Sequence, residues 1–182
     1  MPRYLAFLRG INLGNRRLKM DHLRGLFGEL GFTGIETFIA SGNVIFDDRT
    51  TDARRLALKI ERHLADRLGY EVDTFVRTRA EVATLAALRP FAGTDMDAEE
   101  NTVHVGFFAS PLPAAQARGL AAIRTPTDEF HVTGPEFFWL CRGIKSSTSE
   151  VWSSSAVRAL KLPASSMRNL RSIRKLAVLF PA

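Results

Sequence analysis

A chain of 182 residues with an apolar share of 46% can bury a true core, in one ordinary domain or two small packed halves, which argues against disorder. The formal charge of +6 turns attention to anionic partners, and the single cysteine excludes an intrachain disulfide or a multi-cysteine metal site. No apolar run approaches the roughly 18 residues that a membrane span requires, and the start shows no basic-then-apolar leader pattern, so a cytoplasmic protein without membrane partners is the expectation.

Residues 3–9 hold a continuous apolar run, Tyr4-Leu5-Ala6-Phe7-Leu8, which predicts an interior strand covered on both faces. Residues 9–19, Arg-Gly-Ile-Asn-Leu-Gly-Asn-Arg-Arg-Leu-Lys, then form a strand-to-helix loop with two glycines, two asparagines and four cations. Met20, Leu23, Phe27 and Leu30 lie on one face of a first helix that stops at Gly31. Two strands are predicted at 36–40 and 43–47, joined by a tight turn at Ser41-Gly42-Asn43. Leu56, Ile60, Leu64 and Leu68 mark a second helix over 52–68, ended by Gly69, and residues 72–76 read as a fourth strand. The first 78 residues thus follow a β-α-β-β-α-β order, the ferredoxin-like arrangement.

Thr78-Arg-Ala-Glu81 is a capping box opening a third helix, which Pro90 ends. Residues 91–101 form an acidic connection, so that 79–101 join a first half, 1–78, to a second, 102–182. The second half repeats the element order. It has a strand at 102–109, a helix at 114–123, a hairpin at 129–133 and 136–142, and a short strand at 165–168. A second capping box is predicted at Ser147 and Glu150, and Asn169 caps a last helix with Leu170, Ile173, Ala177 and Phe180 inward. The fold class is α+β, in tandem ferredoxin-like sandwiches.

Several separated stretches resemble one known family. The run Tyr4–Leu8, Arg9-Gly10-Ile11-Asn12, Lys19-Met20, Leu30-Gly31-Phe32, Ser41-Gly42-Asn43-Val44, and the closing Arg168-Asn169 and Lys175-Leu176 are similar in order and spacing to DUF1697 proteins. The resemblance implies the tandem α+β fold and no particular activity. The chain departs from the family pattern at Asn15, where a second glycine is usual, and at Ser166, Leu170 and Ser172, where Thr, Trp and Thr are usual.

Three segments are candidate sites. In the opening loop, Gly10 and Gly14 let the backbone curl, while Arg9, Asn12, Arg16, Arg17 and Lys19 face an anion. The plainer reading is a sharp connection with solvated cations. At the chain's end, Ser166, Arg168, Asn169 and Lys175 gather at a helix start, where the dipole favours anions. Plain capping is the alternative there. Ser41 and Asn43 are able to hydrogen-bond a ligand or simply to form a turn.

Neither a P-loop nor a dinucleotide fingerprint is present. The four histidines have no metal-ligand spacing, no Gly-x-Ser-x-Gly elbow occurs, and Cys141 reads as a core thiol. No reaction or cofactor follows from the residues. The expected function is binding of a phosphorylated or otherwise anionic small ligand in a cationic cleft between the halves. The alternatives are nonspecific nucleic-acid binding through charge and a homo-oligomeric interaction module.

Overall fold

The computed structural model describes residues 1–181 except Leu13 and Asn15; these two, Ala182 and the side chain of Ser41 lie outside the described residues. The chain divides into two compact units, Met1–Ala83 with Leu176–Ala182, and Thr84–Lys175. Each contains a four-stranded antiparallel sheet with helices, and the two halves are similar in element order.

In the first unit the order is β1 (Arg3–Leu8), α1 (Met20–Glu29), β2 (Thr33–Phe38), β3 (Asn43–Asp47), α2 (Ala53–Leu68) and β4 (Thr74–Thr78), followed by α3 (Arg79–Ala87). The sheet runs β2-β3-β1-β4, so β1 is central, with Tyr4 opposite Phe46 on β3 and Thr78 on β4. This explains the continuous apolar run: Tyr4, Ala6 and Leu8 enter the core with α1 and α2, and Leu5 and Phe7 on the opposite face are buried as well. Phe32 and Phe46 stack at 4.4 Å in that core.

Caps fix the helix ends. Asp52 accepts from the Arg55 backbone N–H at 3.0 Å to start α2. The predicted box at α3 is complete: the Thr78 N–H donates to Glu81 Oε2 at 2.7 Å, and the Glu81 N–H donates to Thr78 Oγ1 at 3.2 Å.

The turn before β3 differs from the expected two-residue hairpin. Strand β2 ends at Phe38, Ile39–Ser41 wind into a 3-10 turn, and Ile39 takes a left-handed φ of 51°. Gly42 follows at φ 74°, where a Cβ would lie 2.7 Å from Ile11 Cγ2, so the Leu8 N–H to Gly42 O bond of 2.8 Å depends on a residue without a side chain. Strand β4 begins two residues later than predicted. Before it, the Asp73 carbonyl accepts from the Arg9 N–H at 2.9 Å, and the Thr74 N–H donates to Glu61 Oε1 at 2.9 Å.

The second unit contains β5 (Asn101–Phe107), α4 (Ala114–Ala122), β6 (Asp128–Thr133), β7 (Glu136–Arg142), α5 (Ser155–Ala159) and β8 (Ser166–Asn169), then α6 (Leu170–Leu179), which continues into the first unit's residues. Its sheet runs β6-β7-β5-β8, the same relative order as the first. Phe130, Phe137 and Trp139 form an aromatic core, closed by Trp152 edge-on to Trp139 at 5.6 Å.

The second predicted capping box does not form. Ser146–Thr148 and Val151–Ser153 are 3-10 turns, the Ser149 hydroxyl donates to Asp128 at 2.7 Å, and the helix starts only at Ser155, capped by Ser154. On α6, Leu176 is fully buried with Leu170 and Ile173, while Ala177 and Phe180 are half-buried.

Candidate functional site

The opening loop connects β1 to α1, and one side chain closes it. Asn12 Oδ1 accepts from the Leu18 N–H at 2.7 Å, and its Nδ2 donates to Leu18 O and Ala40 O, each at 3.3 Å. The Asn12 amide therefore holds the loop to itself and to the 39–41 turn. Gly10 and Gly14 both have positive φ, 67° and 60°.

The loop's cations differ in their surroundings. Arg9 is about half exposed and pairs with Asp73 at 3.0 Å. The Arg16 guanidinium lies over the Tyr70 ring, 4.1 Å from its centroid, a cation–π contact. Arg17 Nη1 donates to the carbonyls of Gly14 and Arg16, each at 2.9 Å. Lys19 is exposed at the N-terminus of α1, without a side-chain capping bond. Arg9, Gly10 and Arg16 line one hollow of about 490 Å³, whose opposite wall is Glu71 and Asp73.

Sequence reasoning found the arginines of this hollow but not Tyr70, Glu71 and Asp73. The signal was present in the topology. In the β-α-β-β-α-β order β4 pairs with β1, and the observed register, Leu8 opposite Thr74, brings residue 73 beside residue 9.

The other candidates have internal partners. Asn43 is buried and donates to Phe38 O at 3.1 Å. In the second unit, Ser166 and Arg168 are buried on β8, and Arg168 Nη1 donates to Ser166 Oγ and to Met167 O, each at 2.8 Å. Burial brings the Arg168 guanidinium down to about 10. It stands inside the unit, on β8. Asn169 caps as predicted, accepting from the Arg171 N–H at 2.8 Å, and Lys175 is exposed. The acidic connection is tied down: Asp97 pairs with Arg174 and, at 3.4 Å, with Arg89. The opening and closing segments thus belong to different units.

Asp128 gathers four side-chain donors. Its carboxylate is buried on β6 and accepts from Thr127 Oγ1 (2.7 Å), Ser149 Oγ (2.7 Å), Trp139 Nε1 (2.8 Å) and Thr125 Oγ1 (3.1 Å). Burial alone would raise this carboxyl, but the four donors hold it below the ordinary aspartate range. Beside it, the thiol of buried Cys141 is pushed up by burial and by the Asp128 charge, which suits a core residue and not a nucleophile. His104 stacks on Trp139 at 5.1 Å with its Nε2 buried and unpartnered, and burial lowers its pKa.

Among the described residues, no group of three or more His, Cys, Asp or Glu is placed to hold a metal ion, and no helix is long and apolar enough to cross a membrane. Tyr4 and Phe7 on β1 and Phe46 on β3 are buried.

Comparison with known proteins gives a fold and a family. A solved structure described as that of the conserved bacterial protein SP0830 from Streptococcus pneumoniae is similar over 100% of this chain and 99% of that one, with a TM-score of 0.73 and 21% identity. At that identity the likeness is one of fold. No curated protein matches the chain. A family model described as "Protein of unknown function (DUF1697)" matches residues 1–138, most of the chain, and the protein therefore belongs to the DUF1697 family.

Proposed function

We propose that the protein binds a small anionic molecule, phosphorylated or carboxylated, at the opening loop of its first unit. The observation that carries this reading is the pair of arginines lining one hollow, with Arg16 placed over the Tyr70 ring. A planar guanidinium fixed in advance loses little freedom when it takes an oxyanion by two parallel bonds. The volume, about 490 Å³, is in the range of small-molecule sites. The Arg9–Asp73 pair is exposed on both sides, so it contributes at most about 1 kcal/mol and a ligand can compete for Arg9. Lys19 adds exposed positive charge to the same loop.

Two finer readings accompany the proposal. The shared strand order and β-α-β-β-α-β succession support classing each half as ferredoxin-like. The lone cysteine, kept as a buried thiol, fits a reducing, cytoplasmic setting.

The test is thermal unfolding of the full chain with inorganic phosphate, pyrophosphate or citrate, beside an Arg16→Ala variant. A site-bound anion stabilises by about 2.7 kcal/mol at a hundred times its dissociation constant. The wild type gains a saturable shift and the variant loses most of it. Equal shifts in both proteins, or no saturable shift in either, would refute the proposal.

A further inference from the structure

We infer that the second unit carries a separate binding site, a groove lined by hydroxyl oxygens that takes a neutral polyhydroxylated molecule, a sugar or a sugar alcohol. The two halves share a topology but differ in their connections, and one of these differences is the link between the third strand and the second helix. In the first half residues 48–52 join β3 to α2, and α2 is a 16-residue helix. In the second half residues 143–154 join β7 to α5, and α5 has only five residues. The longer connection winds through two 3-10 turns, Ser146–Thr148 and Val151–Ser153. Between this connection and residues 122–128 opens a groove of about 940 Å³.

The wall chemistry selects the ligand. Seven of the 17 lining residues are Ser or Thr. Most of these hydroxyls have already committed their protons inside the protein. Thr127 and Ser149 donate to Asp128, while Thr148, Ser153 and Ser154 donate to the carbonyls of Lys145, Glu150 and Val151 at 2.8, 2.8 and 2.6 Å. A hydroxyl whose hydrogen is fixed inward offers outward the lone pairs it has not committed. Ser149 and Ser154 also accept from the Val151 and Val157 N–H groups at 3.2 and 3.3 Å, so Thr127, Thr148 and Ser153 supply most of the acceptor character of the wall, between Arg124 and Arg158, and its complement is a molecule that carries donors.

Donor-rich ligands are polyols or amines, and the charges discriminate between them. Arg124 and Arg158 balance Asp128 and Glu150 along the lining, and Asp128 is already satisfied by four donors. A polyamine has no spare carboxylate beyond Glu150 and meets two guanidinium groups, whereas a neutral polyol meets no net field. No aromatic ring lines the groove, so stacking of a nucleobase is not offered. Asp128 also ties both rims together, Thr125 and Thr127 on one side and Ser149 on the other, so the acceptor oxygens are fixed before a ligand arrives.

Both tryptophans lie in this unit, and Trp139 donates to Asp128, so indole fluorescence reads occupancy of the groove. The full chain is titrated with D-glucose, D-ribose and sorbitol, and separately with spermidine and inorganic phosphate. A saturable change with at least one polyol is expected. Thr148→Val keeps the side chain's shape, removes one acceptor, and weakens that binding by about three- to tenfold. Ala156→Phe, at an exposed lining position, abolishes binding while the melting temperature is retained. No saturable response to any of the three polyols, saturable binding of spermidine or phosphate alone, or polyol binding unchanged in both variants would overturn the inference. These variants leave the opening loop intact, so the result is independent of the anion site.

Discussion

Replacing Asp128 tests how a buried carboxylate is held without a cationic partner. Asp128→Ala removes the acceptor for three hydroxyls and the Trp139 indole N–H. A hydrogen bond to a charged group contributes about 1.5–3 kcal/mol, but the four do not add, because released hydroxyls can turn toward other acceptors. The indole cannot turn, and Trp139 is only 3% exposed. The expected loss is about 3–5 kcal/mol for Asp128→Ala, and about 1–3 kcal/mol for Asp128→Asn, which keeps one carbonyl oxygen in place. Urea unfolding followed by tryptophan fluorescence reads this unit alone, since both tryptophans lie within Thr84–Lys175.

The pH dependence has a definite sign. The folded carboxyl is depressed, so between its folded and unfolded pKa values the unfolded chain binds more protons than the native one. The contribution is complete above the unfolded value of about 3.9 and is lost as pH falls through the folded one. Asp128→Asn removes that acid component. An alanine variant within about 0.5 kcal/mol of wild type, or an asparagine variant with an unchanged acid limb, would show that the network is not what holds this unit.

Four further outcomes follow from the same coordinates. Gly106→Ala on β5 drives a methyl into the Phe137 ring and should cost about 3 kcal/mol by denaturant melt. Ile39→Asn relieves a β-branched residue at φ 51° that is 53% exposed, and should raise stability by about 1 kcal/mol. His104→Phe keeps a ring against Trp139 and removes a site that takes up its proton less readily in the folded chain than in the unfolded one. The wild type should lose stability as pH drops below about 6.5, and the variant should lack that limb. Glu81→Ala opens the α3 capping box and should cost about 1 kcal/mol, read as a lower urea midpoint.

Local chemistry was readable wherever it decided the outcome. Gly69 and the Thr78–Glu81 box act within four residues of the helix ends that they set, and both stand as the residues implied. The serine-rich stretch failed for the opposite reason. Residues 146–148 wind into a 3-10 turn instead, and Ser149, inside the expected first turn, spends its hydroxyl on Asp128, 21 residues away, a partner that spacing does not show. Arg168 is placed by register. Ser166 and Arg168 alternate inward on β8 while Met167 faces out, so the polar residues of a four-residue strand are the buried ones. In the opening loop the cations were legible as a group, but Tyr70 and Asp73, which orient Arg16 and Arg9, required the pairing of β1 with β4.

The Asn12 amide has a consequence for tolerance to change. It bonds the backbone at Leu18 and at Ala40, so the base of the opening loop is fastened independently of what stands between. Arg16 and Arg17 sit beyond that fastening and bond only backbone carbonyls and the Tyr70 face. Related chains can therefore exchange the residues at the tip, and with them the charge offered to solvent, while strand and helix keep their places. Losing the asparagine would instead unfasten both segments in a single step.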